Sequence, residues 1–271
     1  ECRILVKLPH YTYEAGERLI AEVEAANFGK GNIEGVFCWT LAGKKSVSEN
    51  GNCEPAEIKS KNTVIATGED TEITICRPGS YTEVGSLDIP LDFVEKNTAL
   101  TLKVRIGDSI SAYPIWVYRK TTPVCPENVY ETRAFDVKTR EILQNGGRVY
   151  LSPDADKESL PNSIKTQFTT DFHTDWQWWI MATKRAVILP HPMKTIITEM
   201  DSYAFLRPMA QLIEFRCLKG KVLLSTMELH KSQQYPEVRA LQASIYTYLS
   251  GENFEPAEEI TEEELSMLVR G

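Results

Sequence analysis

Long hydrophobic runs are missing from this sequence of 271 residues. The longest aliphatic run, AVIL at residues 186–189, is closed by Pro190 and is far shorter than the roughly 20 apolar residues of a membrane helix. A membrane partner is therefore not expected. The chain starts at Glu1 with neither an initiator Met nor a signal-peptide pattern, which is typical of a piece of a longer protein.

Positive charge is also scarce. The chain has 30 Lys and Arg residues against 38 Asp and Glu residues, which gives a formal net charge of -8. Because nucleic-acid binding requires a concentrated basic face, no nucleic-acid partner is expected. Residues 252–264 hold most of the C-terminal acid and no Lys or Arg, and this pattern indicates a solvated tail that ends in a short helix.

Regularly spaced cysteines are absent as well. The six cysteines form no CxxC pair, so neither a metal site nor a cofactor is expected. Several of them lie in apolar strand patterns, as buried free thiols do. Free thiols favour a reducing compartment, and the expected location is the cytoplasm.

The first part of the sequence alternates apolar and polar residues with a period of two. In residues 21–25, for example, Ala and Val alternate with two glutamates, which is typical of a strand with one face in water. Seven or eight such segments are separated by turns rich in Gly and Asn, and this spacing predicts an Ig-like antiparallel β-sandwich over residues 1–121. Trp39 and Trp116 lie in strand patterns and are expected in its core.

The period changes after a linker at residues 122–127, which contains Pro123 and Pro126. Residues 131–144 are predicted to form a helix that ends at two glycines, followed by a strand at 148–152. Further strands are expected at 195–200, 212–217 and 220–226, and a helix is expected to begin at Pro236. Thr261 and Glu264 have the spacing of a capping box. The pattern predicts an α/β domain over residues 128–271 with an acidic C-terminal tail.

Three segments of the second half resemble the C-terminal region of large bacterial family 2 glycoside hydrolases, the relatives of β-galactosidase and β-glucuronidase. These segments are QFTTDF at 167–172, HTDWQWWIMA at 173–182 and MDSYAFLRPM at 200–209. In the first half, YPIWVY at 113–118 and NFG at 27–29 resemble the sandwich domains of the same proteins.

The resemblance implies that the α/β domain is similar to class I glutamine-amidotransferase-like domains, with flavodoxin-like layering. Such domains occur in this family as non-catalytic appendages. In the family, an additional loop separates the FTTDF-type segment from the WQWW-type segment. A loop is therefore expected to be missing between Phe172 and His173.

Family 2 enzymes hydrolyse β-glycosides with two glutamates carried on a (β/α)₈ barrel of about 250 residues. This chain has neither the rhythm of eight strand–helix repeats nor an Asn-Glu acid/base motif. The resemblance therefore implies a non-catalytic C-terminal accessory portion of a bacterial glycoside hydrolase. Its expected partner is the catalytic barrel of the parent chain, and no catalytic residue is assigned to this chain.

A first alternative is a carbohydrate-binding module that uses Trp176, Trp178 and Trp179. Sugars present apolar faces that stack on aromatic rings, so exposed tryptophans mark carbohydrate surfaces. The competing interpretation is that these rings pack into the core or against a neighbouring domain, because a Trp side chain buries about 150–250 Å².

A second alternative is an independent amidotransferase-like hydrolase. Such an enzyme needs a nucleophile on a sharp turn between a strand and a helix, and neither Cys217 nor Ser225 has the flanking small residues of such a turn. His230 follows the last predicted strand at its carboxyl end, where open sheets bind ligands, and is the candidate site residue at the strand ends of this domain. Asp154 and Asp156 lack further oxygen ligands nearby and indicate a turn rather than a cation site.

Overall fold

The chain divides into two compact units, Glu1–Lys120 and Thr121–Gly271. The computed structural model describes residues 2–43, 63–165, 185–199 and 206–271. Within these ranges the protein is mostly β-sheet, with three α-helices and several separate sheets.

The first unit consists of eight strands and no helix in its described part. In chain order these are β1 Cys2–Lys7, β2 Thr12–Glu14, β3 Arg18–Asn27, β4 Ile33–Gly43, β5 Thr63–Cys76, β6 Tyr81–Pro90, β7 Thr98–Ile106 and β8 Ser109–Tyr118. They form a three-stranded sheet in the order β1-β3-β6 and a five-stranded sheet in the order β2-β8-β7-β4-β5. All pairings are antiparallel except β2 with β8.

Both sheets contribute side chains to one hydrophobic core. Strand β1 alternates strictly between buried and exposed residues, and β3 does so over most of its length, because successive side chains of a strand point to opposite faces. A shift of one residue in register would turn each strand's apolar set into water, so the alternation also fixes the pairing.

The two tryptophans of the first unit differ in burial. Trp39 is half-buried and packs against the core, and its indole lies directly over Gly68 of the neighbouring strand. The expectation of a core position for Trp116 is wrong, because its side chain is 36% exposed. Ile115 and Val117 are both fully buried, so the residue between them must point outward from β8.

The second unit has one mixed sheet and three helices. Its elements are β9 Val129–Thr132, α1 Val137–Gln144, β10 Arg148–Leu151, β11 Ser163–Lys165, β12 Arg185–Ile188, β13 Ile197–Thr198, β14 Met209–Cys217, β15 Gly220–Ser225, α2 Pro236–Ser250 and α3 Glu262–Leu268. A single 3-10 turn, Leu229–Lys231, lies between β15 and α2.

The sheet of this unit has the strand order β11-β12-β14-β15-β10-β9, with β13 also paired to β14. Strands β15, β10 and β9 are parallel, whereas β14, β12 and β11 add to them in antiparallel fashion. The carboxyl ends of the three parallel strands therefore lie side by side at one edge of the sheet.

Helices cover both faces of the sheet. Val149 and Leu151 of β10 pack in one hydrophobic cluster with α1 and α3, and Tyr150 between them packs in a second cluster with α2. Because neighbouring residues of a strand point to opposite faces, the two clusters lie on opposite sides of the sheet. Arg148 secures α2, since its guanidinium donates to the carbonyls of Leu249 and Gly251 at 2.7 and 2.8 Å.

The helix expected at residues 131–144 begins six residues later than predicted. Asp136 is its N-cap and accepts a hydrogen bond from the Thr139 N–H, which satisfies one of the free donors of the first turn. Residues Val129–Thr132 are instead the edge strand β9, because they pair in parallel with β10. The strand expected at 195–200 is reduced in the described residues to Ile197–Thr198.

Among the described residues, no helix combines the length and the apolar character needed to cross a bilayer.

Candidate functional site

Polar and charged residues follow each of the three parallel strands at the edge where these strands end. Arg133 comes directly after β9, Asp154 lies in the loop after β10, and the loop after β15 carries Glu228, His230 and Lys231. In open α/β sheets this edge is where ligands bind. The five residues and their neighbours are called the strand-end site below.

Glu228 occupies the turn between strand β15 and the 3-10 turn that follows. It is a non-glycine residue with φ 45° and ψ 40°, a left-handed conformation that costs about 1 kcal/mol or more for a residue with a Cβ. Its side chain is nearly buried. A strained turn from strand to helix is also how α/β hydrolases present a nucleophile, so Glu228 stands where such an enzyme would carry its reactive group.

The carboxylate of Glu228 contacts the Ala155 backbone and the Lys231 side chain. It accepts a hydrogen bond from the Ala155 N–H at 3.1 Å, which connects the loop after β15 to the loop after β10. It also lies 2.6 Å from the ammonium of Lys231. The same ammonium contacts Asp154 at 2.7 Å, so Lys231 sits between two carboxylates.

His230 is the second group of the site that is largely covered, with 20% of its side chain exposed. Its Nε2 lies 3.5 Å from Asp154 Oδ1, which is too long for a strong hydrogen bond. Its Nδ1 is buried and has no hydrogen-bond partner among the described residues. Burial, together with the charges of Arg133 and Lys231, lowers the pKa of His230 below its usual value, so the imidazole is neutral at pH 7.

Tyr150 supplies another unsatisfied polar group close by. Its ring is fully buried under α2, and its hydroxyl has no hydrogen bond of acceptable geometry within the described part of the chain. Burial raises the pKa of Tyr150 to about 12, partly offset by the nearby hydroxyls of Ser225 and Ser152. Tyr150 is the last residue but one of β10, so it lies toward the same carboxyl-terminal edge of the sheet as His230.

Behind Tyr150, a hydrogen-bond chain links α2 to the edge strand β9. The Tyr246 hydroxyl donates to Glu131 Oε2 at 2.6 Å and accepts from Gln242 Nε2 at 2.7 Å. Burial and the Glu131 carboxylate raise the pKa of Tyr246 well above its usual value. The Tyr246 hydroxyl therefore has both a donor and an acceptor as partners. In this it differs from the hydroxyl of the neighbouring Tyr150.

The described cysteine and serine side chains of this unit do not form a nucleophile–base pair with His230. Cys217 is the last residue of β14 and pairs with Gly220, the first residue of β15. It therefore lies at the end of β15 opposite to His230, and burial raises the pKa of its thiol to about 11. The thiol of Cys125 faces the Val129 carbonyl at 3.5 Å. Ser225 is fully buried, and its hydroxyl accepts from the Met227 N–H. A nucleophile needs a base within about 3.2 Å.

The candidate residues predicted from the sequence differ in where the structure places them. His230 lies at the carboxyl end of β15 and is brought next to Asp154. Trp176, Trp178 and Trp179 lie outside the described residues, as does the expected join between Phe172 and His173. Asp156 accepts hydrogen bonds from the backbone of Glu158 and Ser159, as a turn residue does. Within the described ranges, no cluster of three or more His, Cys, Asp or Glu residues could hold a metal ion.

Sequence reasoning missed Glu228 and the contact between Asp154 and Lys231. The sequence motifs of nucleophile turns carry cysteine or serine, so a glutamate at this turn matches no such motif. A local signal was present, because Glu228 and Lys231 have the i, i+3 spacing of an ion pair on one helical turn. The contact of Asp154 with Lys231 joins loops that are distant in sequence and leaves no local pattern.

Two family models match parts of the chain. Residues 161–270 match a domain of unknown function, DUF8487, and residues 56–119 match another domain of unknown function, DUF8488. Each match covers less than half of the chain. A search of curated proteins finds no match.

Three solved structures give weak likenesses. The sporulation control protein Spo0M from Bacillus subtilis is similar with a TM-score of 0.32 and 18% identity, over 43% of this chain and 49% of that protein. A β-glucosidase from Listeria innocua in complex with gluconolactone gives 0.29 and 14%, over 44% and 16%. The DNA glycosylase AlkC from Pseudomonas fluorescens gives 0.31 and 9%, over 44% and 30%. This chain thus spans half or less of each neighbour.

Proposed function

We propose that this chain is a non-catalytic accessory portion of a bacterial, family 2-like glycoside hydrolase whose catalytic barrel lies elsewhere in the parent protein. One observation carries the non-catalytic part of the proposal: the strained turn after β15 holds Glu228, a carboxylate already bound by the Ala155 N–H and by Lys231. The place of an amidotransferase-type nucleophile is therefore filled by a structural group.

Glu228 and Asp154 are also unsuited to act together as the carboxylate pair of a glycosidase. Both contact the Lys231 ammonium, at 2.6 and 2.7 Å, so the two contacting oxygens lie within the separation that retaining glycosidases use, about 5–5.5 Å. However, the ammonium occupies the space between them, where the sugar would have to bind. The hydrogen bond from Lys231 also lowers the pKa of Asp154, whereas a general acid needs a raised pKa.

The arrangement of sheets and helices within each unit supports its assignment to a fold family. We assign the first unit to the Ig-like sandwiches because two mostly antiparallel sheets share one core. We assign the second to amidotransferase-like domains because parallel strands are covered by helices on both faces. In this role both units brace the barrel that carries the two catalytic glutamates. The five described cysteines are free, which favours a cytoplasmic location.

The test compares this chain with the product of its complete gene on nitrophenyl β-galactoside and nitrophenyl β-glucuronide. We expect the complete product to hydrolyse at least one of them and the isolated chain to hydrolyse neither. In the complete product, Glu228→Gln should leave kcat unchanged, because the strand-end site does not contact the substrate. Turnover by the isolated chain, or a complete product without a barrel and without glycosidase activity, would contradict the proposal.

A further inference from the structure

Two buried cysteines from different sheets of the first unit lie beside Asn27 in its core. Cys2 is the first residue of β1, in the three-stranded sheet, and Cys76 is the last residue of β5, in the five-stranded sheet. They are 7% and 0% exposed and belong to the same hydrophobic cluster. Residues 3–75 separate them along the chain, so only folding brings them into the same part of the core.

Asn27 fixes the backbone of both cysteines. It is the partner of Cys2 in the pairing of β1 with β3, and its side-chain amide donates to the Cys76 carbonyl at 2.9 Å. The same amide donates to the Gly31 carbonyl at 2.8 Å and accepts from the Gly29 N–H at 2.8 Å. Asn27 is almost fully buried, and a buried side chain with three hydrogen bonds has little freedom to move.

Both cysteines lie beside Asn27 in the core. Cys2 and Asn27 are cross-strand partners and are both buried, so their Cβ atoms lie about 4.5–5.5 Å apart. Burial is the main cause that raises the pKa of Cys76, and the nearby Cys2 raises it further. A disulfide needs Cβ atoms about 3.5–4.5 Å apart. Because Cys2 and Cys76 both flank the Asn27 side chain, we expect a local side-chain rearrangement to bring them to this separation without a change in fold.

We propose that Cys2 and Cys76 are a modification site, at which oxidation by a low-molecular-weight disulfide joins the two sheets of the first unit covalently. The thiolate of Cys2, the more exposed of the two, attacks the small disulfide and releases one thiol. The thiolate of Cys76 then attacks the Cys2 sulfur of the mixed disulfide and releases the second thiol. Two protein thiols are oxidised and one small disulfide is reduced to two thiols.

The cross-link has a physical consequence for the first unit. It closes a loop of more than 70 residues, and long closed loops remove much conformational entropy from the unfolded chain. The melting temperature of this unit should therefore rise on oxidation, by roughly 5–15 °C. Because burial raises the pKa of Cys76, closure should be slow at neutral pH and faster in mildly alkaline buffer.

The experiment treats the purified chain with oxidised glutathione at pH 8.5, followed by intact mass and peptide mapping. We expect the mass of two hydrogen atoms to be lost, a linked peptide pair containing Cys2 and Cys76, and a raised melting temperature that a reductant reverses. The single variants Cys2→Ala and Cys76→Ala are the matched controls. Each should lose both the linked peptide and the rise in melting temperature.

A second experiment distinguishes slow access of the oxidant to the folded core from a geometry in which Cys2 and Cys76 cannot form a disulfide. The chain is unfolded in urea and refolded in a mixture of oxidised and reduced glutathione, which lets the thiols pair before the core closes. A Cys2–Cys76 bond after refolding supports the proposal even if the folded protein reacts slowly. Reduced Cys2 and Cys76 in both experiments, or pairing of either one with another cysteine such as Cys38, would overturn it.

Discussion

The carboxylate of Glu228 accepts a hydrogen bond from the Ala155 N–H at 3.1 Å and thereby ties the loop after β15 to the loop after β10. Lys231 strengthens this connection, because its ammonium contacts Glu228 and Asp154 at once. The edge of an α/β sheet that usually binds ligands is here crossed by contacts between the protein's own residues. The contacts of the strand-end site therefore connect the loop after β10 with the loop after β15.

Two replacements of Glu228 should distinguish the stability gained from its side-chain contacts from the stability lost through its left-handed backbone conformation. Glu228→Ala removes the hydrogen bond to Ala155 and the contact with Lys231, and should lower the free energy of unfolding of the second unit by about 1–3 kcal/mol. Glu228→Gly loses the same contacts but relieves the left-handed φ, and should be more stable than the alanine variant by about 0.5–1 kcal/mol. Hydrogen exchange of the β10 and β15 amides measures both. Equal stabilities would show that the turn is not strained.

The neutral, buried His230 should make the second unit less stable as the pH falls. Its pKa in the folded protein lies below the value of about 6.5 in the unfolded chain, so between these two values the unfolded state binds more protons. Stability is therefore fully present above pH 6.5 and is lost as the pH falls toward the folded pKa. Hydrogen exchange of the β15 amides between pH 7.5 and about 5 should show this decline.

The matched variants for this pH dependence are His230→Gln and His10→Gln. The first removes the titrating group of the strand-end site and should flatten the decline in the second unit. The second changes a histidine of the first unit, and the β15 amides should keep the behaviour of the unmodified chain. An unchanged decline in His230→Gln would assign the pH dependence to another group.

Two tyrosines packed edge to face, Tyr150 and Tyr246, should respond oppositely to loss of the hydroxyl. Tyr150→Phe removes a buried hydroxyl that lacks a satisfactory partner, and should change the free energy of unfolding by less than about 0.5 kcal/mol or increase it. Tyr246→Phe breaks the hydrogen bonds with Glu131 and Gln242 and should cost about 1.5–3 kcal/mol. Urea unfolding of the two variants provides the comparison. A large loss in Tyr150→Phe would reveal a partner for its hydroxyl.

Gly68 should be intolerant of any side chain. A Cβ at this position would lie 2.3 Å from Nε1 of Trp39, so Gly68→Ala must displace the indole from the β4–β5 pair. We expect a loss of about 1–3 kcal/mol in the first unit, measured by hydrogen exchange of the β4 and β5 amides. Gly31→Ala is the control, since a Cβ there meets nothing within 4 Å. Similar stabilities of the two variants would mean that Trp39 moves at no cost.

Features with a local cause could be predicted from the sequence. Helix α2 begins at Pro236, because proline at the first helical position loses no hydrogen bond, and Val238, Ile245 and Leu249 are buried as its period requires. The capping box of Thr261 and Glu264 is present on α3. Both features depend on residues within one or two helical turns of each other.

Features that depend on distant contacts could not be predicted. Residues Val129–Thr132 form a strand because β10 is available to pair with them, and this outweighs a helical pattern downstream. Glu228 adopts a positive φ because contacts with Ala155 and Lys231 hold it. The placement of Cys2 and Cys76 beside Asn27 follows from the packing of two sheets. The pairing of β9 with β10, the contact of Glu228 with Ala155 and the placement of Cys2 and Cys76 have no short-range signature.

The central claim is that the strand-end site holds a structural carboxylate and performs no hydrolysis. The most direct measurement compares the unmodified chain with Glu228→Gln for release of nitrophenol from nitrophenyl β-glycosides and of ammonia from glutamine. The account predicts that both proteins release product at the rate of the buffer alone. Turnover by the unmodified chain that is lost in Glu228→Gln would contradict it.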